Sequence, residues 1–233
     1  MNHAEISVIV PVFNGAEYLA EAVESILAQQ CRPSEIIVVD DGSVDSTPAL
    51  VAGFGEQVVS IRQDNKGPAA ARNAGVARAS APLIAFLDAD DLWMPACLAR
   101  QLESISSEPG VDMAWGLSDR MFMPDAAPTR EEWYGRPQWA LAVSAMLFRR
   151  TAFDAIDGFD ETLRAGEDMD LLVRLRERKA AIVRHANVVH IWRVHGGFHG
   201  ADEAAKIQAH YRVVGKALAR RRVRVDAAKA DSE

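Results

Sequence analysis

The chain has 233 residues, of which 49% are hydrophobic and 25% charged, a composition typical of a soluble globular protein with a full core. Its net charge of −7 excludes the strongly basic surface of a general nucleic-acid binder, although a metal or a few arginines could still hold an anionic substrate in one pocket. The two cysteines, Cys31 and Cys97, have no metal-ligand spacing and indicate a reducing compartment rather than a disulfide framework. The sequence has no apolar stretch long enough to span a membrane and no secretory leader pattern, so we expect a cytoplasmic protein. Such a protein could still contact the inner face of a membrane peripherally.

The first half of the chain alternates between strand and helix patterns. Strands are predicted at residues 7–13, 36–39, 58–62 and 83–87, and helices at residues 19–27, 47–54, 68–79 and 95–108. Such alternation predicts an α/β fold with a mostly parallel central sheet covered by helices.

Periodicity weakens after residue 111. Residues 119–137, with several prolines and many charges, are predicted to form a loop. Strands are expected at 140–148 and 188–194, a helix at 167–179, and a terminal helix at 201–222 that ends in a run of three arginines.

An acidic cluster follows the strand predicted at 83–87. Asp88, Asp90 and Asp91 must be hydrated, protonated or neutralised by a cation, because unpaired buried charge is costly. Carboxylates two residues apart can lean to the same side of an extended chain, and hard oxygen ligands suit Mg²⁺ or Mn²⁺, which can hold a diphosphate. The alternative is a solvated acidic turn after an ordinary strand, which the pattern of the cluster alone favours less than a metal site.

Two further polar clusters follow neighbouring predicted strands, at residues 11–15 and 40–43. They should lie at the same edge of the sheet as the acidic cluster, because ligands of open parallel sheets bind beyond the carboxyl ends of the strands. One of Asp40 and Asp41 is expected to form a turn, and the other could accept a hydrogen bond from a nucleotide base. Arg72, one turn into the helix at 68–79, could reach a base or a diphosphate, or could simply lie on the surface.

The helix at 167–179 presents an inward carboxylate. Asp168 shares its face with three leucines at helical spacing, and the helix dipole favours its ionised form, as a general base requires. The alternative role is an N-cap. Asp170 has the spacing to pair with Arg174 on a solvated face.

The last predicted strand carries Arg193 and His195 on one side and His190 on the other. Arg193 and His195 could therefore face a diphosphate together, whereas a lone strand histidine is more often structural.

Seven ordered segments resemble the family 2 glycosyltransferases of the GT-A fold and cover roughly residues 6–197. They are residues 8–14, 39–43, 65–75, 86–91, 158–161, 166–168 and 193–195. The resemblance implies that Asp88 and Asp90 form the DxD pair, with Asp90 as the direct metal ligand, and that Asp168 is the catalytic base of an inverting enzyme. It implies nucleotide-binding roles for Pro11, Phe13, Asp40, Asp41, Arg72, Asp88, Arg193 and His195, with Asp91 and Glu167 as secondary candidates.

The resemblance also implies Mn²⁺ or Mg²⁺ as cofactor and a nucleotide-sugar donor, with a UDP-sugar as the default and dTDP- and GDP-sugars open. The acceptor would be a hydroxyl compound such as a glycan or a lipid-linked saccharide. The absence of a Q-x-x-R-W motif favours transfer of a single sugar. A nucleotide-sugar half at about 1–110, an acceptor half at about 111–200, and a C-terminal helix and basic tail at 201–233 are expected.

Two other functions compete. A nucleotidyltransferase or dinucleotide-dependent enzyme would carry a glycine-rich loop after the first strand, and this chain does not. A non-catalytic nucleotide-binding regulatory or partner module would keep the pocket, but retention of both Asp168 and the acidic pair argues against it.

Overall fold

The computed structural model describes residues 3–125, 136–196 and 203–230. Within these ranges the elements are β1 (His3–Val12), α1 (Leu19–Leu27), β2 (Arg32–Asp40), α2 (Thr47–Gly53), β3 (Val59–Arg62), α3 (Pro68–Arg78), β4 (Leu83–Phe86), β5 (Leu92–Trp93), α4 (Cys97–Ile105), β6 (Met113–Phe122), β7 (Met146–Arg149), α5 (Arg150–Asp154), α6 (Glu167–Glu177), β8 (Ile182–Val194) and α7 (Glu203–Ala230). Short 3₁₀ turns occur at Gly55–Gln57 and Val143–Ala145.

The eight strands form one mixed sheet in the order β3-β2-β1-β4-β7-β6-β8-β5. β3, β2, β1 and β4 run parallel, as the alternating pattern predicted. β7 is antiparallel to both β4 and β6, β8 is parallel to β6, and β5 is antiparallel to β8. The α/β class is confirmed, and the parallel half places four strand ends at one edge.

Close helix–sheet packing holds this half together. The residues of β4 are all buried, and α3 packs across β1 and β2. Gly75 makes that approach possible, because a Cβ added there would lie 2.4 Å from Ile9 Cγ2. Phe86 on β4 meets Phe159 edge to face at 5.3 Å, which anchors the segment leading to α6 against the sheet.

The structure differs from the sequence prediction at several segments of the second half. Only the end of the strand predicted at 140–148 is extended, from Met146 onward, because Val143–Ala145 forms a 3₁₀ turn. β8 begins at Ile182, six residues before the predicted strand. β6 continues to Phe122, into the region predicted as a loop, because Asp119 to Phe122 pair with β8. Residues 126–135 of that predicted loop, like residues 201–202 and 231–233, lie outside the described residues.

α7 packs against α6 and corrects the prediction for Asp170. That side chain is fully buried, not solvated: it pairs with Arg174 at 2.6 Å, as predicted, and also with Arg220 of α7 at 3.1 Å. Lys216 adds an ion pair to Asp160 at 2.6 Å. Across the three described ranges, none of the helices combines the length and apolar character required to cross a membrane.

Candidate functional site

The carboxyl ends of the parallel strands open into a cavity of about 1000 Å³. Pro11, Phe13, Asp41 and the Asp88–Asp91 segment line it from the sheet edge. The start of α6 brings Glu167 and Asp168 to the same cavity, and His195 lines it from the end of β8. Asp88 and Asp90 therefore line the same cavity as Asp168, although almost eighty residues separate them from it in the sequence.

Asp40 and Asp41 have different surroundings. Asp40 accepts a hydrogen bond from Ser43 N at 2.8 Å and pairs with Arg62 at 3.3 Å, so it forms the turn after β2 and does not line the cavity. Asp41 does line the cavity, and three donors fix its carboxylate: Gln63 Nε2 and the backbone amides of Lys66 and Gly67, at 2.7 to 2.9 Å. Asp41 is thus the member of the pair that a ligand in the cavity could contact.

Arg72 lines the cavity and is buried among three carboxylates. Its guanidinium donates to Asp88 Oδ1 at 2.6 Å and to Glu167 Oε1 at 2.8 Å, and lies 3.6 Å from Asp168 Oδ1. Burial alone would lower the pKa of Arg72, but these three acids raise it well above its usual value. The arginine predicted to contact a ligand therefore bridges the end of β4 to the start of α6.

Asp168 has the environment of a carboxyl that is hard to ionise. Its Oδ2 accepts a hydrogen bond from Val143 N at 3.1 Å, while Oδ1 is buried and has no hydrogen-bond partner among the described residues. Burial raises its pKa to about 7, Arg72 opposes that shift, and the neighbouring Glu167 and Asp88 reinforce it. A carboxyl that titrates near neutral pH in a cavity can exchange a proton with a bound hydroxyl.

The acidic cluster divides into two exposed carboxylates and one structural carboxylate. Asp88 and Asp90 face the cavity with side chains 29% and 40% exposed, and Asp90 Oδ2 lies 3.3 Å from His195 Nε2. Asp91 points inward, where it pairs with His190 Nε2 at 2.9 Å and accepts from Arg193 N at 3.0 Å. Both of its carboxylate oxygens are thus engaged, so Asp91 has the contacts of a structural group and not those expected of the secondary site candidate, and burial raises its pKa to about 6.

Asp88 and Asp90 fit a cation that is shared with a ligand. No group of three or more His, Cys, Asp or Glu side chains suited to a metal ion occurs in the described part of the chain. Mg²⁺ is commonly held by one or two carboxylates together with substrate phosphates, so two hard oxygen donors at the cavity edge suffice when a diphosphate supplies the rest.

Arg193 was predicted to contact a diphosphate, but the structure does not place it at the cavity. Its side chain is 1% exposed and absent from the cavity lining, because it turns under the acidic cluster to donate to Asp90 O and to pair with Glu21 of α1. β8 ends at Val194, so strand alternation does not carry over to His195, which stacks on Tyr18 at 4.7 Å and lines the cavity. Arg193 braces the cluster, and only His195 of the two faces the cavity.

Arg164 is a cavity residue that the sequence analysis missed. It is exposed, and its guanidinium pairs with no carboxylate among the described residues. It lies over Gly67, where an added Cβ would come within 2.8 Å of Arg164 Nη1 and where φ is +94°. One feature of the sequence could have pointed to Arg164. It is a lone arginine four residues before Asp168, in the segment leading into the helix.

The model of the family described as "Glycosyl transferase family 2" matches residues 7–157. The succinoglycan biosynthesis protein ExoO of Rhizobium meliloti is 35% identical over 196 residues, which cover 72% of this chain and 54% of ExoO. The structure of S. aureus TarS 1-349 in complex with UDP-GlcNAc has a TM-score of 0.68 and 22% identity, covering 85% of this chain and 60% of that one. The mannosyltransferase PcManGT from Pyrobaculum calidifontis, in complex with GDP-Man and Mn²⁺, has a TM-score of 0.69 and 19% identity, covering 94% of this chain and 65% of PcManGT.

These similarities confirm the GT-A fold and the family expected from the ordered motifs. The chain spans less than two thirds of the length of each of the three proteins compared.

Proposed function

The chain belongs to glycosyl transferase family 2, and on that premise we propose that it transfers a single sugar from a nucleotide-sugar to a hydroxyl acceptor, with inversion at the anomeric carbon. The observation that carries the proposal is the arrangement of Asp88, Asp90 and Asp168 around one cavity, with Arg72 in contact with both Asp88 and Asp168. A nucleotide-binding module without catalysis would have no need of a carboxyl held near neutral pKa in that cavity.

The donor would occupy the sheet edge. Pro11 and Phe13 offer apolar contact to a base, and Asp41 offers a fixed carboxylate to a base or ribose. Arg164 and His195 are the cavity's candidates for contact with the diphosphate. The UDP-GlcNAc and GDP-Man bound by the two structural neighbours support a nucleotide-sugar of this class, and a UDP-sugar is the first to test.

Mn²⁺ or Mg²⁺ would be held by Asp90 and Asp88. When bound, the cation neutralises the negative charge that grows on the departing nucleoside diphosphate. The Mn²⁺ in the complex of PcManGT supports this assignment. Because the carboxylate of Asp91 is engaged by His190 and Arg193 N, Asp88 and Asp90 are the two members of the cluster left to hold a cation, and we expect tight metal binding only together with a nucleotide.

Asp168 would act as the general base. It accepts the proton of the acceptor hydroxyl as the hydroxyl oxygen forms its bond to the anomeric carbon. On the opposite face of that carbon, the bond to the diphosphate breaks, and the electron pair leaves with the nucleoside diphosphate. One displacement inverts the configuration and requires no covalent intermediate on the protein. Arg72 and Val143 N hold the base in place.

The acceptor would reach Asp168 from the second half of the chain. Leu141 and Ala142, beside the turn that orients Asp168, line the cavity on this side, and Ala209 of α7 lines it as well. A glycan or a lipid-linked saccharide remains the proposed class, and a lipid-linked acceptor would require the protein to reach a membrane surface.

The test combines donor binding and turnover in matched variants. We expect Asp168→Asn to lower kcat by about 10²- to 10⁴-fold while leaving nucleotide affinity within about twofold, because the amide keeps the shape but cannot take a proton. Asp90→Asn should remove the Mn²⁺-dependent part of UDP binding, measured calorimetrically. Asp154→Asn, an exposed acid on α5, is the control and should change neither.

Retention of kcat within tenfold in Asp168→Asn would overturn the assignment of the base. Nucleotide binding without turnover, over a full screen of donors and acceptors, would favour the non-catalytic module instead.

A further inference from the structure

One face of α7 carries an apolar stripe that no described residue covers. Ile207, Tyr211, Val214, Leu218 and Val225 follow one another at intervals of four, three, four and seven residues, so they share one side of the helix. They are between 46% and 75% exposed. We refer to these five residues as the outer stripe.

The opposite face of α7 is fixed to the protein. Ala209 and Val213 are buried and pack on Gly166 at the start of α6, and Arg220 pairs with Asp170 and Glu177. The helix therefore has a defined inner side, and the outer stripe points away from the domain.

Positive charge is concentrated on the same helix. Residues 203–230 contain eight lysine and arginine residues and two acidic residues, a net charge of +6 in a chain whose total is −7. Lys216, Arg220 and Arg224 pair with acids of the domain. Arg221 and Arg222 are exposed, and at 100° per residue they fall on either side of the outer stripe.

We propose that α7 is an interfacial helix, which docks this protein on an anionic lipid surface. The outer stripe enters the boundary between headgroups and acyl chains, and Arg221 and Arg222 meet the lipid phosphates at its edges. Charge favours lipid over a second copy of the chain as the occupant: a parallel pair would place Arg221 against Arg221, and any pairing would bring two helices of +6 together.

Docking would also place the cavity at the membrane. Ala209 and His210 of α7 line the cavity, within one helical turn of Ile207 and Tyr211 of the outer stripe. The docking itself rests on α7 alone and does not depend on the proposed glycosyl transfer.

The test is co-sedimentation of the full 233-residue protein with vesicles of phosphatidylcholine alone or with one third phosphatidylglycerol. We expect binding to the anionic vesicles and at least tenfold weaker binding to phosphatidylcholine. Arg221→Gln with Arg222→Gln should weaken anionic binding by about 30-fold, from roughly one tenfold step per 1.4 kcal/mol and about 1 kcal/mol per arginine. Tyr211→Ser with Leu218→Ser should abolish it.

The controls are chosen off the outer stripe. Val223→Ser changes an exposed valine on the other side of α7, and Arg176→Gln with Arg178→Gln removes two exposed arginines from the end of α6. Both should bind like the unmodified chain, and circular dichroism should show all variants folded. Equal losses in control and outer-stripe variants would overturn the proposal. So would a dimer in sedimentation velocity that Tyr211→Ser with Leu218→Ser dissociates, without any binding to vesicles.

Discussion

Replacing Arg72 by methionine should destabilise the protein in a way that depends on pH. The side chain is 4% exposed and touches Asp88, Glu167 and Asp168, whose side chains are 29%, 12% and 17% exposed. Removing one partner of a buried ion pair costs about 3–5 kcal/mol, and the partial exposure of these acids places the loss near 3 kcal/mol, a factor of about 150 in the folding equilibrium. The loss applies at pH 8, where all three carboxylates are ionised in the unfolded chain.

The pH dependence follows from the lost positive charge. Arg72 opposes the rise that burial causes in the folded-state pKa of Asp168, so without Arg72 that pKa rises further, and a carboxyl with a raised folded-state pKa destabilises the fold above that pKa. Stability is recovered as the pH falls through it. We therefore expect the difference in the free energy of unfolding between the variant and the unmodified chain to shrink between pH 8 and pH 5. The change should be at least about 1.4 kcal/mol, which corresponds to a pKa shift of one unit.

Urea unfolding at both pH values measures this difference, with Arg100→Met as the matched control. Arg100 pairs with Glu103 on the surface, with side chains 51% and 71% exposed, so its removal should cost less than about 1 kcal/mol at either pH. Equal losses for the two variants, or a loss at Arg72 that does not vary with pH, would refute the view that Arg72 neutralises the acids of the cavity.

Two further predictions concern the site and the core. Because burial raises the pKa of Asp168 to about 7 and a base must be ionised, kcat/KM should rise tenfold per pH unit up to about pH 7 and then level off, and an inflection near pH 4 would contradict this. Gly75→Ala should lower the free energy of unfolding by about 1–3 kcal/mol, measured by thermal unfolding, because the added Cβ would overlap the buried Ile9. Gly53→Ala is the control: a Cβ added there meets no atom within 4 Å, so the substitution should be neutral or stabilising.

The sequence predicted the half of the fold that local patterns determine. Continuous apolar runs marked β1, β2 and β4, and parallel topology then required the residues after them to meet at one edge. This reasoning brought Asp41, Asp88 and Asp90 together correctly. It also placed Asp168 on an inward face, because helical spacing with three leucines depends on nothing beyond α6.

Predictions that depended on distant neighbours were less successful. Asp170 has the i,i+4 spacing of a surface ion pair with Arg174, but α7, fifty residues later, covers it through Arg220. Arg193 was expected to face the cavity from strand alternation and from the family resemblance, but its burial depends on Glu21 of α1. The sequence pattern around Arg72 could not reveal that three acids from two elements already balance its charge.

The contact between Gly166 and α7 makes the terminal helix part of the surroundings of Asp168, the proposed base. Ala209 and Val213 rest on the residue that immediately precedes Glu167 and Asp168, so a protein truncated before residue 203 would expose the start of α6 to water. Hydration would ease ionisation of Asp168 and return its pKa toward that of an ordinary aspartate. Trimming a segment outside the family match would thereby weaken the proposed base without altering Asp88, Asp90 or Asp168.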